Sequence, residues 1–231
     1  MLPPTKAQKV NVIPRLRNGI RGFLQTHGTR SIKRLLWNGE FSNGRWNCLD
    51  RSPGDCVYEC VEQFASNGSI LDLGCGSGST ANELNIGAYR DYTGIDISDV
   101  AIRKAAERTV QECRRHKNRF FQSDICHYEP DRRFDVILLR DSIYYVPWRR
   151  MREILERYSG YLNKDGVIIV RLWSVAGKYR EILDSIEKNF TVVEKYSFEP
   201  GPVVIVFRSE RRTPREALPS EKTRSHGQWS T

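Results

Sequence analysis

Hydrophobic period is the first thing that organises this chain. Between residues 69 and 208, short apolar runs alternate with longer stretches in which apolar residues recur every three or four positions. That is the pattern of strands alternating with amphipathic helices. Residues 70–73 predict a strand, and a helix over 79–86 follows. Residues 92–96 predict a second strand; Ser98 or Asp99 then caps a helix running to about Arg114, with Val100, Ile102, Ala105 and Val110 among its apolar positions. Residues 119–122 form a short third strand. Residues 134–139 (FDVILL) are almost uninterruptedly apolar, as a parallel strand covered on both faces requires. A helix over 148–162, a strand opening at Gly166 and a helix over 177–188 come next. Residues 191–198 and 203–207 then flank Glu199-Pro200-Gly201-Pro202, which is too short for a crossover helix, so the last two strands form an antiparallel hairpin. The predicted architecture is α/β: a doubly wound, mostly parallel sheet with one reversed strand.

Ahead of this series the pattern is looser. Leu16, Ile20, Phe23 and Leu24 share one face of a short amphipathic helix, with Arg15, Arg17 and Arg21 elsewhere. This segment reads as a solvated arm, as a helix packed over a ligand pocket, as a contact for an anionic membrane surface or nucleic acid, or as an organellar targeting segment. Residues 37–53 are turn-rich and aromatic. Cys56, Val57, Cys60, Val61 and Phe64 fall at helical spacing and predict a helix over 55–66. No second Cys/His pair stands at ligand spacing to Cys56 and Cys60, so both thiols are expected in the core and no metal site is expected. The predicted organisation is a basic arm or lid over 1–36, one main domain over 37–208 and a disordered tail over 209–231.

Charge changes the picture only when it is divided. Of a net +9, residues 1–36 carry +8 with no acid and residues 208–231 carry +3, so the intervening stretch is at −2. The basic character lies in the ends and says little about what the main domain binds. Six scattered cysteines, one of them inside a glycine loop, do not make a disulfide framework. Together with an N-terminus lacking the apolar core of a secretory signal, and no membrane-length apolar run, they predict a soluble protein of a reducing, cytoplasmic compartment.

The chemistry-bearing stretch is 69–84, SILDLGCGSGSTANEL. An apolar run carrying Asp72 breaks into Gly74-Cys75-Gly76-Ser77-Gly78 and continues as a helix. This strand–turn–helix arrangement holds nucleotide-like ligands at the carboxyl ends of α/β strands. Asp96 ends the next strand, where a carboxylate can accept ribose hydroxyls or cap the helix that follows. Asp124 follows the third strand. Arg140 and Arg171 end two strands expected to be neighbours, where an arginine needs an anionic partner, either on a substrate or from Asp141 or Glu40. His127 is a candidate base or a surface residue.

Four segments together, LDLGCGSG (71–78), GIDIS (94–98), FQSDI (121–125) and FDVILLRDSIYYVP (134–147), resemble the class I S-adenosylmethionine-dependent methyltransferases over roughly residues 50–208. A dehydrogenase would show G-x-G-x-x-G, whereas the third glycine here comes one position earlier. The resemblance implies a Rossmann-like seven-stranded sheet whose reversed strand lies in the terminal hairpin, with S-adenosylmethionine as cofactor. It implies Asp96 on the ribose and Asp124 on the adenine amino group, with Ile97 and Ile125 packing near the ring. Asp72 and the amides of Gly74, Cys75 and Gly76 would lie by the methionine half, bordered by the backbone around Leu139 and Arg140. Trp46 and Tyr58 would belong to the segment folding over the cofactor. Arg140, Asp141, Tyr144 and Tyr145 fall where the family places acceptor-facing groups, with Asp141 as base or orienting group; one of the tyrosines alternatively belongs to the core.

There is no Asn/Asp-Pro-Pro-Tyr after the fourth strand and no Pro-Cys, which argues against amino-methylating nucleic-acid enzymes and cytosine-C5 enzymes. The Tyr-Tyr ending is similar to nodulation-type N-methyltransferases. The expected function is methyl transfer to an oxygen or nitrogen of a small polar acceptor, glycosidic or anionic. The alternatives are an RNA methyltransferase using the basic arm, and a binding module without turnover.

Overall fold

The computed structural model describes residues 12–47, 52–174, 177–198 and 201–209; the tail expected over 209–231 lies, beyond its first residue, outside them. The chain forms α1 (Val12–His27), α2 (Arg30–Ser42), α3 (Cys56–Ala65), β1 (Gly68–Leu73), α4 (Ser79–Glu83), β2 (Tyr89–Asp96), α5 (Asp99–Gln111), β3 (Asn118–Gln122) and β4 (Phe134–Arg140). There follow a short 3-10 turn (Ile143–Tyr145), α6 (Trp148–Ser159), β5 (Leu162–Leu172), α7 (Lys178–Asn189), β6 (Thr191–Ser197) and β7 (Val203–Arg208). The seven strands order as β3-β2-β1-β4-β5-β7-β6, with β7 antiparallel to both β5 and β6. Winding runs outward from β1 through β2 to β3, then reverses across β4. The switch point therefore falls between β1 and β4, where the carboxyl ends open a crevice.

Strand alternation divides the core in two. Leu71, Leu73, Ile137, Leu139, Ile168 and Val170 face α6 and α7, while Ile70, Val136, Leu138, Val167 and Ile169 face the layer holding α3. β1 is buried at every position, as the apolar run requires. β6 is exposed along most of its length and carries Glu194 and Lys195, charges that blunt a sheet edge. Side-chain caps set the helix starts: Ser98 accepts from the Ala101 N–H at 3.1 Å and Asp55 from the Val57 N–H at 3.1 Å.

Two N-terminal helices stand where one was expected, and the turn reading of residues 37–53 fails for its first six positions. α2 starts at its Thr29 cap and runs through Asn38 and Gly39 to Ser42. Tertiary bonds override the weak local propensity there. Asn38 donates to Asp99 Oδ1 at 2.7 Å and accepts from Ser98 Oγ at 2.7 Å, and Lys104 Nζ reaches the Phe41 carbonyl at 2.7 Å. Among the described side chains, this helix pair turns polar groups inward. Gln25, Lys33 and Glu40 are buried, whereas Ile20, Phe23 (62 % exposed), Ile32 and Leu35 (72 %) face outward. Arg15, Leu16 and Arg17 lie outside the described side chains.

Among the described residues no helix is long and apolar enough to cross a membrane, and no group of three or more His, Cys, Asp or Glu is placed to hold a metal ion.

Candidate active site

A cleft of about 600 Å³ opens at the switch point, roofed by α2. Toward β2 and β3 it is lined by Asp72, Gly74, Cys75, Gly76, Asp96, Ile97, Asp124 and Ile125; toward β4 and β5 by Arg140, Asp141, Tyr144 and Tyr145, with Trp46 from the segment after α2. The Leu139 side chain turns into the core against α6 and α7, as alternation along β4 requires; the expectation there concerned its backbone. One expectation fails. Tyr58 packs in the layer below, its hydroxyl 2.7 Å from Ser52 Oγ and its ring under Arg140. His127 is half-exposed and stands outside the cleft lining, its Nδ1 3.4 Å from Asp124 Oδ2.

The three strand-end carboxylates are buried, each for a different reason. Asp72 accepts a short hydrogen bond from the Tyr92 hydroxyl through Oδ2, while Oδ1 is buried without a hydrogen-bond partner. Burial, outweighing Tyr92 and Arg140, raises its pKa to about 7. Asp96 Oδ2 accepts the Gly76 N–H at 3.0 Å and Oδ1 the Ser98 N–H at 2.8 Å; burial nevertheless raises its pKa to about 6. Asp124 Oδ1 accepts the Cys126 N–H at 2.8 Å, and Oδ2 has no hydrogen-bond partner, with Lys33 Nζ 3.9 Å away. The glycine loop is tied to β2 by the Gly74 and Cys75 N–H groups, which donate to the Ile95 carbonyl at 2.8 and 2.9 Å. Gly74 takes φ +87, and a Cβ there would stand 2.6 Å from Ser142 Cβ.

Beside Asp141 lies a paired charge network. Arg140 and Arg171 are register partners on β4 and β5. Arg140 donates to Asp55 Oδ2 at 2.7 Å and Ser52 Oγ at 2.8 Å, and Arg171 holds Asp141 Oδ2 and lies 3.4 Å from Asp55. Burial pushes Asp55 up, but the two guanidiniums outweigh it and hold its carboxyl below the usual range. The carboxylate expected at Arg171 is thus present in Asp141, whereas Glu40 pairs with Arg21 and Arg45 instead. Asp141 takes φ +54, a left-handed conformation that Asp tolerates better than most side chains. Burial, opposed by Arg171 and Arg140, raises its pKa, and its Oδ1 is buried without a hydrogen-bond partner. Burial also pushes the Tyr145 hydroxyl up to about 12.

Sequence reasoning allowed for a helix over the pocket but named none of the residues of the roof or the far wall. Lys33, Trp37 and Phe41 line the cleft from α2, Tyr179 from α7, and Trp173 from just after β5. Lys33, Trp37 and Phe41 stand four residues apart on one helix face, a spacing visible in the sequence once residues 37–42 are read as helix. Asp55, held far from Arg140 in sequence, left no local signal.

The comparisons with known proteins bear on the family and the fold. A family model described as a methyltransferase domain matches residues 49–199. The chain is 26 % identical over 130 residues to a probable cobalt-precorrin-6B C(15)-methyltransferase (decarboxylating) of Thermoplasma acidophilum, covering 54 % of this chain and 60 % of that one. It spans less than two thirds of the length of the curated relatives matched first. Other matched relatives are named for an mRNA cap guanine-N(7) and for an eEF1A lysine and N-terminus. Among solved structures, a DhpI–SAH complex superposes with a TM-score of 0.61 at 17 % identity, covering 80 % of this chain and 99 % of that one. The N-methyltransferase NodS of Bradyrhizobium japonicum, in complex with S-adenosyl-l-homocysteine, gives 0.55 at 20 %, covering 74 % and 88 %. At these identities the superpositions speak to the fold.

Proposed function

The chain belongs to the class I S-adenosylmethionine-dependent methyltransferases, and from that premise we propose that it methylates an oxygen or nitrogen of a small polar metabolite. The side chains fit the cofactor. Asp72 Oδ1 and Asp124 Oδ2 are buried oxygens that accept no hydrogen bond from the protein, and a Cβ on Gly76 would project to within 3.5 Å of Phe41 in the roof, narrowing the cradle. When bound, S-adenosylmethionine supplies an electrophilic methyl group for in-line displacement.

In this reading Asp96 accepts from the ribose hydroxyls, Asp124 from the adenine amino group with Ile97 and Ile125 against the ring, and Asp72 from the methionine ammonium beside Gly74, Cys75 and Gly76. Arg140 and Arg171 fix Asp55 and Asp141 in place. Asp141 orients the acceptor or takes its proton, and Tyr144 and Tyr145 wall it in. Alignment of the reacting atoms at roughly 3–3.5 Å is the protein's main contribution. Residues 1–36 and the rest of α2 act with Trp46 as a lid, and 37–208 carry the catalytic domain. Free thiols at Cys56, Cys60, Cys75, Cys113 and Cys126 favour a reducing, cytoplasmic setting.

One observation carries the proposal: Asp72, Asp96 and Asp124, from three different strand ends, share a single cleft that continues to Asp141. About 600 Å³ for donor and acceptor together favours a small acceptor group. The test is calorimetry with S-adenosylhomocysteine, followed by transfer of labelled methyl to a small-metabolite extract and to total RNA. Binding with labelled metabolite is expected; label only in RNA would move the acceptor to nucleic acid, and no binding would remove the proposal.

A further inference from the structure

We infer that the acceptor is an amine, received at Asp141 Oδ1 against a continuous wall of aromatic rings. This rests on the methyl-transfer reading above and specifies its substrate class. The wall runs from Tyr179 to Tyr144 with ring centroids 5.4 Å apart, on to Tyr145 at 4.8 Å, to Trp37 at 4.7 Å, and to Trp46 at 6.2 Å. All five residues line the cleft, and they come from α7, the turn after β4, α2 and the segment beyond it. Ring faces are electron-rich and attract an alkylammonium far more than a neutral hydroxyl, the more so where water is excluded.

The arginine pair beside that wall gives no preference for an anion. Arg171, Arg140 and Asp55 all act on Asp141, and Asp141 in turn acts on Tyr144 and Tyr145. The two arginines are matched by Asp55 and Asp141, so this pair offers an anionic acceptor no uncompensated cation. Asp141 Oδ1, by contrast, is buried and lacks a donor. An ammonium N–H supplies that donor. The ammonium then gives one proton to solvent water; the N–H bonding pair stays on nitrogen as a lone pair, and Asp141 keeps the charge that pairs it with Arg171. The nitrogen is left uncharged and nucleophilic.

The test compares matched probes by calorimetry in the presence of S-adenosylhomocysteine: benzylamine against benzyl alcohol, and glucosamine against glucose. In at least one pair the amine is expected to bind about tenfold or more tighter than its alcohol. Asp141→Asn keeps a side chain suited to positive φ and removes the charge, so the preference should fall to within about twofold. Tyr145→Leu, which leaves Asp141 and its partners intact, should weaken the amine severalfold more than the alcohol. The inference is overturned if alcohols match amines in both pairs, if the preference survives Asp141→Asn or Tyr145→Leu, or if no amine binds at about 10 mM. S-adenosylhomocysteine affinity is measured on the same preparations. Its retention alongside any of those results removes only the amine assignment, whereas its absence in the unmodified chain removes the methyl-transfer reading itself.

Discussion

The backbone N–H of Gly76 donates to Asp96 Oδ2 at 3.0 Å, so one carboxylate holds the glycine loop and faces the cleft at once. Asp96→Ala should therefore have two separable effects. Losing hydrogen bonds to a charged group, each worth about 1.5–3 kcal/mol, should cut S-adenosylhomocysteine affinity by roughly 100-fold or more. Orphaning the Gly76 and Ser98 N–H groups should also lower the melting temperature. Asp96→Asn, which keeps an acceptor, should lose affinity with less loss of stability. Undiminished binding in both variants contradicts the ribose assignment.

Binding of the donor should be proton-linked. Asp72 and Asp96 have pKa values raised by burial to about 7 and about 6, so both are partly protonated in the free protein near pH 6. A ligand ammonium and ribose hydroxyls favour the carboxylates, so binding releases protons and weakens as pH falls below about 7, by up to about tenfold per pH unit for each proton released. Calorimetry at pH 6 in buffers of different ionisation enthalpy should show the release. For stability the sign reverses: raised carboxyl pKa values stabilise the free fold below the unfolded-state pKa of about 4, and this is lost as pH climbs through 6 to 7.

Gly74 and Gly76 should respond differently to alanine. Both have positive φ, but a Cβ at Gly74 would strike Ser142 Cβ at 2.6 Å, whereas one at Gly76 would meet only the Phe41 ring at 3.5 Å. Ser142 cannot withdraw easily, because its hydroxyl is bonded to the Leu73 carbonyl at 2.5 Å. Gly74→Ala is expected to lower the melting temperature more than Gly76→Ala, and Gly76→Ala to weaken donor binding more than it weakens the fold. Thermal melts and calorimetry on the two variants check the order.

Asp55→Ala removes the shared counter-ion of two buried arginines. Breaking a buried pair this way costs about 3–5 kcal/mol, and the α3 N-cap goes with it, at about 1 kcal/mol. Denaturant unfolding should show a drop of that order. A loss within about 1 kcal/mol, the range of a surface pair, would mean that the network carries little of the stability.

The sheet was legible because its strands are either almost wholly apolar, as in β4, or bounded by glycine and proline, as in the β6–β7 hairpin. The carboxylate corners were legible because Asp72, Asp96 and Asp124 sit at strand ends, within the motif segments that carry the family resemblance. α2 was not, because Asn38 and Gly39 read locally as a turn and are held helical by Asp99 and Ser98, some 60 residues away. The N-terminal apolar pattern misled for a related reason: it marks the outward face of Ile20 and Phe23, while the cleft is roofed by Lys33, Trp37 and Phe41. Tyr92 beneath Asp72 and Asp55 between the arginines are long-range partners that no periodicity announces.

Arg140 and Arg171 lie side by side on adjacent strands and share one anion from an outlying helix cap. None of the three is therefore free to drift alone during evolution. Descendants of this chain that have lost Asp55 should also have traded at least one guanidinium for a neutral side chain, and aligned orthologues would reveal the trio changing as a block.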